Sequence, residues 1–359
     1  MLKILVFSLG LGALVLGAES LVRSASNIAA TIRISPLVIG LTVVAFGTSL
    51  PELAVSVQSA LAGQADISIG NVVGSSIFNV LFILGISALI VPLVVSSQLV
   101  RFDVPVMIFV SVLVYLMSLD GNISNLEGFI LFAGIVAYTL WLLIKGSSTE
   151  EKETQVPDIK APDITTGFNI VKWIMQIFLG LSLLVLGSKW MVDGAVDIAH
   201  LFGVNELVIG LTIVAAGTSL PEVATSVAAA IHGERDIAIG NVLGSNIFNM
   251  LAVLGVTCLI VSHGLSVSPT ALSFDIPVMI AVAVACLPIF FTGNLIARWE
   301  GMLFLGYYLI YSLYLFLFAS HNTFLPVFNG VMVAFVFPLT FVVLAVSVIR
   351  NFRRKMHVP

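Results

Sequence analysis

Residues 40–90 of this chain return 170 positions later, at 210–260, and 32 of the 51 aligned positions are identical without a gap. The first copy reads GLTVVAFGTSLPELAVSVQSALAG followed by QADISIGNVVGSSIFNVLFILGISALI. The second reads GLTIVAAGTSLPEVATSVAAAIHG followed by ERDIAIGNVLGSNIFNMLAVLGVTCLI. Each copy carries one glutamate, Glu52 or Glu222, inside apolar sequence. A doubled pair of interrupted hydrophobic segments is the signature of membrane folds built from internal repeats. An intramembrane carboxylate is costly unless it has a function.

Charged residues make up 9% of the chain and hydrophobic residues 59%, with a mean hydropathy of +1.14. A soluble domain carries about 25% charged residues, so this is an integral membrane protein of many spans. A spanning helix needs about 20 apolar residues. The runs predict spans at 4–22, 36–62, 67–92, 103–119 and 126–145, then 171–191, 206–232, 237–262, 274–291 and 300–318, with an eleventh at 327–349. They are too long for barrel strands, and open sheet edges do not exist in lipid. The expected fold is therefore all-α. The first twenty residues imitate a secretory signal, but LVLG at 14–17 recurs at 184–187, so that segment is read as the first span.

Beyond the best-matched part, FDVPVM from Phe102 returns as FDIPVM from Phe274, and Gly121-Asn122 as Gly293-Asn294. Five spans per half is an odd number, so the halves must insert with opposite topology. The expected architecture is an inverted repeat of five plus five helices with one additional C-terminal helix. The chain divides accordingly into a first repeat (1–145), a linker (146–170), a second repeat (171–320) and an extra helix with a basic tail (321–359). Of the 15 Lys and Arg residues only Lys3 and Lys189 fall on one side, which predicts an outer amino terminus and a cytoplasmic carboxyl terminus in a cell (inner or plasma) membrane. The acidic linker reads as a tether and the tail as a topology anchor. The small net charge of −4 and the lack of a basic, aromatic-laced stripe exclude a nucleic-acid partner. No obligatory protein partner and no resident cofactor are inferred. Cys258 and Cys286 lie in spans without metal-ligand spacing, so both read as buried free thiols.

In Gly47-Thr48-Ser49-Leu50-Pro51-Glu52 the proline removes a helical donor and crowds the carbonyl four residues back, which frees carbonyls near Ala45, Phe46 and Gly47. Thr48 and Glu52, four apart, are expected on one helical face. Ala215, Thr218, Ser219 and Glu222 repeat the arrangement. In the next span Asn71, Ser75 and Asn79 step by four into a polar stripe, mirrored by Asn241, Ser245 and Asn249. The inventory is carboxylate, hydroxyl, amide and carbonyl oxygen, with no histidine, lysine or arginine at either motif core. Such a set suits hard cations. Two facing glutamates would balance one divalent ion, or hold several monovalent ions with one carboxyl protonated. A lone kink or close-packed glycine pair is ordinary packing; two glutamates in identical inverted contexts are not. Thr48 and Thr218 have a back-bonding alternative. Asp66 and Asp236 are expected as solvated helix starts. Asp103 and Asp275 are read as helix-end caps, with an ion-pathway role as the alternative. An intramembrane hydrolase would need a His or Lys base beside its serine, and a duplicated constellation has no use in a single-site protease, so the chain is not read as an enzyme.

GTSLPE paired with GN-x-x-GS-x-I-x-N in both halves resembles the cation/calcium exchanger superfamily, specifically its Na⁺/Ca²⁺ exchanger branch. The resemblance spans ten of the eleven expected helices. It implies antiport of Ca²⁺ against Na⁺ by alternating access, with Ca²⁺ and Na⁺ as substrates and the lipid bilayer as surroundings. It further implies Glu52 and Glu222 as shared ligands, Thr48 and Thr218 assisting Ca²⁺, and flanking Na⁺ sites formed by Ser49, Ser75 and the Ala45 carbonyl and by Ser219, Ser245 and the Ala215 carbonyl. Asn79 and Asn249 would line the centre. Some members carry aspartate where Asn249 stands, and in the K⁺-dependent branch that acid accompanies K⁺ co-transport, so asparagine points to K⁺ independence. The acid that follows Gly-Asn in the H⁺/Ca²⁺ branch is replaced by Val72 and Val73. An H⁺-coupled or Mg²⁺/Mn²⁺ antiporter on the same fold remains the alternative.

Overall fold

In the computed structural model the described residues are 2–32, 34–146, 167–201, 215–291, 294–320, 323–332 and 334. They form helices α1 (Leu2–Ile32), α2 (Pro36–Thr48), α3 (Leu50–Leu61), α4 (Ala65–Ile90), α5 (Leu99–Met117) and α6 (Asn125–Gly146). The second half supplies α7 (Gly167–Leu201), a single turn at Ala215–Gly217, α8 (Leu220–Ile231), α9 (Arg235–Ile260), α10 (Ala271–Phe290), α11 (Arg298–Ala319) and α12 (Leu325–Val331). Among the described residues eight helices are long and apolar enough to cross a membrane, or nine when α2 and α3 count as one bent span. The protein is a polytopic all-α membrane protein. The linker, the first part of the span expected at 206–232, most of the eleventh span and the basic tail lie outside the described residues.

Helices α1 and α7 outrun the spans expected at 4–22 and 171–191. Thirty-one residues at about 1.5 Å each exceed a hydrocarbon core of about 30 Å, so their polar ends emerge from it. There Arg23 pairs with Glu19 at 2.5 Å, and Ser26 donates to Glu234 at 2.7 Å. The two helices run antiparallel on a seam of glycines. A Cβ placed on Gly17 would lie 2.8 Å from the Gly180 carbonyl, and one on Gly187 would lie 2.8 Å from the Gly10 carbonyl. In lipid, where apolar side chains gain little by leaving the solvent, such close backbone packing is what holds helices together.

These contacts exchange with one another when the halves are swapped. Gly10 corresponds to Gly180 and Gly17 to Gly187, so the Gly10–Gly187 contact maps onto Gly180–Gly17. Gly85 against Gly301 maps in the same way onto Gly255 against Gly128. Four two-residue strands follow the rule too. Leu93–Val94 (β1) pairs antiparallel with Leu295–Ile296 (β4), and Asn122–Ile123 (β2) with Leu265–Ser266 (β3). Each pair joins the connection after the third span of one half to that after the fourth span of the other. Such connections share a membrane face only when the halves are oppositely oriented. The strands themselves were not foreseen in the sequence.

The centre of this arrangement is α4 and α9. In their most apolar stretches 72% and 78% of residues are buried, against 17% in α11, which lies at the periphery. The other helices wrap them and turn Leu, Phe and Val outward, as on α6, where Leu126, Phe129 and Ile144 are exposed. Gly240 and Gly244 of α9 let α2 approach at Leu37 and Leu41. Asp66 and Asp236 occupy the first turns of α4 and α9, where a negative charge complements the helix dipole; Asp66 is exposed, as expected of a solvated helix start, whereas Asp236 is partly buried.

Asp103 and Asp275 do not cap. Asp103 is fully buried and makes no capping bond to the following helix. It accepts from Tyr138 Oη at 2.9 Å and Gln98 Nε2 at 3.4 Å, and Asp275 accepts from Tyr311 Oη at 3.3 Å. Each aspartate thus ties the fourth span of its half to the fifth. The reason is local. A π-turn at Leu99–Asp103, repeated at Ala271–Asp275, shifts the register so that the carboxyl faces the neighbouring helix.

Two outcomes follow for thermal melting of the purified protein. Gly187→Leu should lower stability by about 1–3 kcal/mol through overpacking of the α1–α7 seam, whereas Gly12→Ala, with nothing within 4 Å of its added carbon, should melt with the wild type. Tyr138→Phe should destabilise by about 1–3 kcal/mol by leaving a buried carboxyl oxygen without its donor; wild-type melting would show that the bond is dispensable.

Candidate cation site

The break predicted at Pro51 is present. Helices α2 and α3 bend by 43° across Ser49, whose φ of −83° and ψ of 5° take it out of helical geometry. Ser219 has nearly the same values, φ −89° and ψ 8°. The break is narrower than the proline alone implies. Ser49 N–H still reaches the Ala45 carbonyl at 3.1 Å and Thr48 Oγ1 lies 3.4 Å from it, so that oxygen is not simply freed by the break. Since the chain turns between Thr48 and Glu52, their four-residue spacing no longer decides what they touch. The contacts cross instead to the opposite half.

Ser49 donates to Glu222 Oε1 at 3.2 Å, and Ser219 donates to Glu52 Oε1 at 2.9 Å. Ser245 Oγ adds a contact to the same Glu222 oxygen at 3.4 Å. Both glutamates are fully buried. Among the described residues neither has a cationic partner, and in each the second carboxylate oxygen, Oε2, has no protein partner. A buried carboxyl in this condition must take up either a cation or a proton.

A second layer fixes the broken helices. Asn71 Nδ2 donates to the Glu52 carbonyl at 3.0 Å and to Ser56 Oγ at 2.9 Å, while its Oδ1 accepts from Thr218 at 3.3 Å. Asn241 Nδ2 likewise meets the Glu222 carbonyl at 3.4 Å and Ser226 at 2.9 Å, and its Oδ1 lies 3.1 Å from Thr48 Oγ1. Thr48 Oγ1 is also 3.1 Å from the Val44 carbonyl and 3.4 Å from the Ala45 carbonyl, so its single proton is shared among the opposite amide and two back-bonding acceptors of its own helix. The amides of Asn71 and Asn241 are thereby used up in holding the glutamate backbones and the opposing threonines. They stood on the polar stripes read from the sequence but outside the expected ion-binding set. Ser56 and Ser226, one turn beyond each glutamate, were not singled out, although both are doubled.

The remaining expected residues differ in their bonding. Ser75 is buried with Oγ unpartnered. Asn79 and Asn249 are fully buried and each opens a π-turn, Asn79–Leu84 and Asn249–Val253. Wide turns of this kind recur at functional positions because they unlock side chains from the regular helical register. Asn79 Oδ1 and both polar atoms of Asn249 lack protein partners. Ala215 opens the single described turn, and its side chain is outside the described residues. One further residue enters that the doubling could not flag: Asn246, whose counterpart in the first half is Ser76.

Chemically, the structure brings Ser49 and Ser245 to Glu222 and Ser219 to Glu52, and among the described residues unpartnered buried oxygens remain on both carboxylates, the Ser75 hydroxyl and the Asn79 and Asn249 amides. This is a donor set for hard cations and offers no imidazole or thiolate to a softer metal.

The sodium/calcium exchanger protein family model matches residues 2–144 and 172–317. The putative antiporter CaxA of Alkalimonas amylolytica is 40% identical over 313 residues, covering 84% of this chain and 97% of that protein. The sodium/calcium exchanger MaX1 of Methanosarcina acetivorans is 35% identical, covering 87% and 98%. A solved structure of the sodium-calcium exchanger NCX_Mj, soaked with Na⁺ and Ca²⁺, superposes with a TM-score of 0.73 at 32% identity, covering 86% of this chain and 97% of that one. With its doubled acid-bearing motif intact and both halves matched, the chain belongs to the sodium/calcium exchanger protein family.

Proposed function

We propose that this protein exports Ca²⁺ in exchange for Na⁺ by alternating access, without a requirement for K⁺. The observation that carries the reading is the pair of fully buried glutamates, each held at one oxygen by a hydroxyl of the opposing half and unpartnered at the other. One divalent ion neutralises both. When it leaves, monovalent ions must replace its charge, and that is the basis of coupling. Glu52 and Glu222 serve as the central ligands, with Thr48, Thr218, Asn79 and Asn249 around them. Ser49, Ser75 and the Ala45 carbonyl form one flanking site, and Ser219, Ser245 and the Ala215 carbonyl the other. That relatives are named as antiporters and sodium/calcium exchangers supports the choice of ions.

The moving part is the α1–α7 pair. Its glycine seam makes it one unit, and α7 leans on both broken helices, through Leu181 at Gly47 and Val192 at Gly217. Tilting that unit across the four helices of the core would open the central site to one face and close it to the other. The distribution of basic residues supports an outer amino terminus with the linker and tail in the cytoplasm.

Radiocalcium uptake into proteoliposomes tests this. Uptake should require internal Na⁺, be indifferent to K⁺ and persist when a pH gradient is collapsed; uptake driven by a pH gradient without Na⁺ would make the protein a proton-coupled antiporter. Glu52→Gln and Glu222→Gln should each remove about 3–5 kcal/mol of ion binding, a loss of more than about 100-fold, and full activity in either variant would sink the paired-glutamate site.

A further inference from the structure

The two central asparagines are related by the repeat, yet their surroundings are not. Asn79 Nδ2 donates to Asn246 Oδ1 at 3.0 Å, and Asn246 Nδ2 donates to the Ser76 carbonyl at 3.2 Å. The direction of this chain is dictated by its end. A backbone carbonyl can only accept, so Asn246 must turn its NH₂ toward Ser76 and its oxygen toward Asn79. Asn79 must then give its own NH₂ to Asn246, which leaves Asn79 Oδ1 as the atom without a protein partner. Met107 Sδ, 3.5 Å from Asn246 Nδ2, supports the same orientation.

On the other side the corresponding clamp does not exist. The residue equivalent to Asn246 is Ser76, whose hydroxyl is spent on the Val72 carbonyl of its own helix at 2.8 Å. Asn249 has neither amide atom bonded to protein. Asn246 is itself buried and is not among the ion-binding residues above.

We infer that Asn246 is a positioning residue for cation binding: it locks the Asn79 amide with its oxygen toward the ion and leaves Asn249 free to turn, so the two halves of a nearly two-fold site are unequal. Asn79 is then a preorganised oxygen donor. Asn249 can present oxygen to a cation or its NH₂ to a carboxylate as the ion content changes. The inference rests on the cation-exchange reading for its ligand, and the orientation argument holds for any hard cation.

The test titrates purified protein with Ca²⁺, Na⁺, K⁺, Mg²⁺ and Mn²⁺ separately, following melting temperature, beside radiocalcium uptake. Asn246→Ser copies the first-half residue and releases Asn79. Removing an outer partner of a ligand weakens metal binding by about 10–100-fold. Ca²⁺ affinity should fall by that factor, with the KM for uptake raised, the maximal rate kept and the cation-free melting temperature close to wild type. The exchange Ser76→Asn with Asn246→Ser moves the clamp to Asn249 and should restore affinity to within about threefold. Unchanged affinity in Asn246→Ser, or a lowered cation-free melting temperature with affinity intact, would reduce Asn246 to a packing residue and overturn the inference. Should the single variant fail to fold, the exchange decides alone, and a loss of more than about tenfold there overturns it. If wild type responds to neither Ca²⁺ nor Na⁺ but to another cation of the panel, the Na⁺/Ca²⁺ reading falls, and the same comparison with that cation still decides the role of Asn246.

Discussion

Two carboxylates in the middle of a membrane protein, with no base beside them, set the terms for everything around Glu52 and Glu222. Their charge is not cancelled within the described chain, and a buried uncompensated ion is among the least favourable arrangements a protein can contain. The surrounding atoms are organised to lower that penalty without removing it. One oxygen of each carboxylate takes a hydroxyl hydrogen bond, from Ser219 or Ser49, and the other is left without a protein partner. A lysine at the site would have given a more stable interior and one with no use for a cation. On the proposed reading, the cost of leaving these carboxyls unpaired is what a bound cation or a proton relieves.

Keeping such a centre in place requires rigid neighbours. Each break lies beside the charge, where Pro51 or Pro221 supplies no N–H to the helix. Asn71 and Asn241 fix the segment after each break by gripping the glutamate carbonyls, and glycine contacts bring whole helices to backbone distance. Tyr138 and Tyr311 pin the outer spans through Asp103 and Asp275. The polar interior thus grades outward from unpartnered oxygens to fully satisfied amides and finally to apolar side chains facing lipid.

Much of this was legible in the sequence, because duplication marks residues twice. Glu52, Ser49, Asn79 and their partners stood out as polar groups repeated in apolar context, and the odd number of spans per half implied opposed orientation. What spacing could not supply was direction. Thr48 and Glu52 look like one helical face until the chain turns at Ser49, and the contacts then cross to the other half. Asp103 looked like a cap because π-turns leave no sign in a pattern of apolar residues. The two-residue strands were hidden in connections too short to show alternation. Asn246 escaped for the converse reason: its significance lies in a difference between the copies, and a search for likeness passes over it.

The crossed hydroxyls have a bearing on how such a chain arose. Since Ser49 serves Glu222 and Ser219 serves Glu52, neither half holds a finished site by itself. A half-length ancestor, inserted in both orientations and paired with its own copy, would already have had both contacts across the dimer axis. Such an ancestor could not have placed asparagine at one of the two equivalent positions and serine at the other. The Asn246–Ser76 difference became available only once the half was encoded twice, so that each copy could drift apart from its twin.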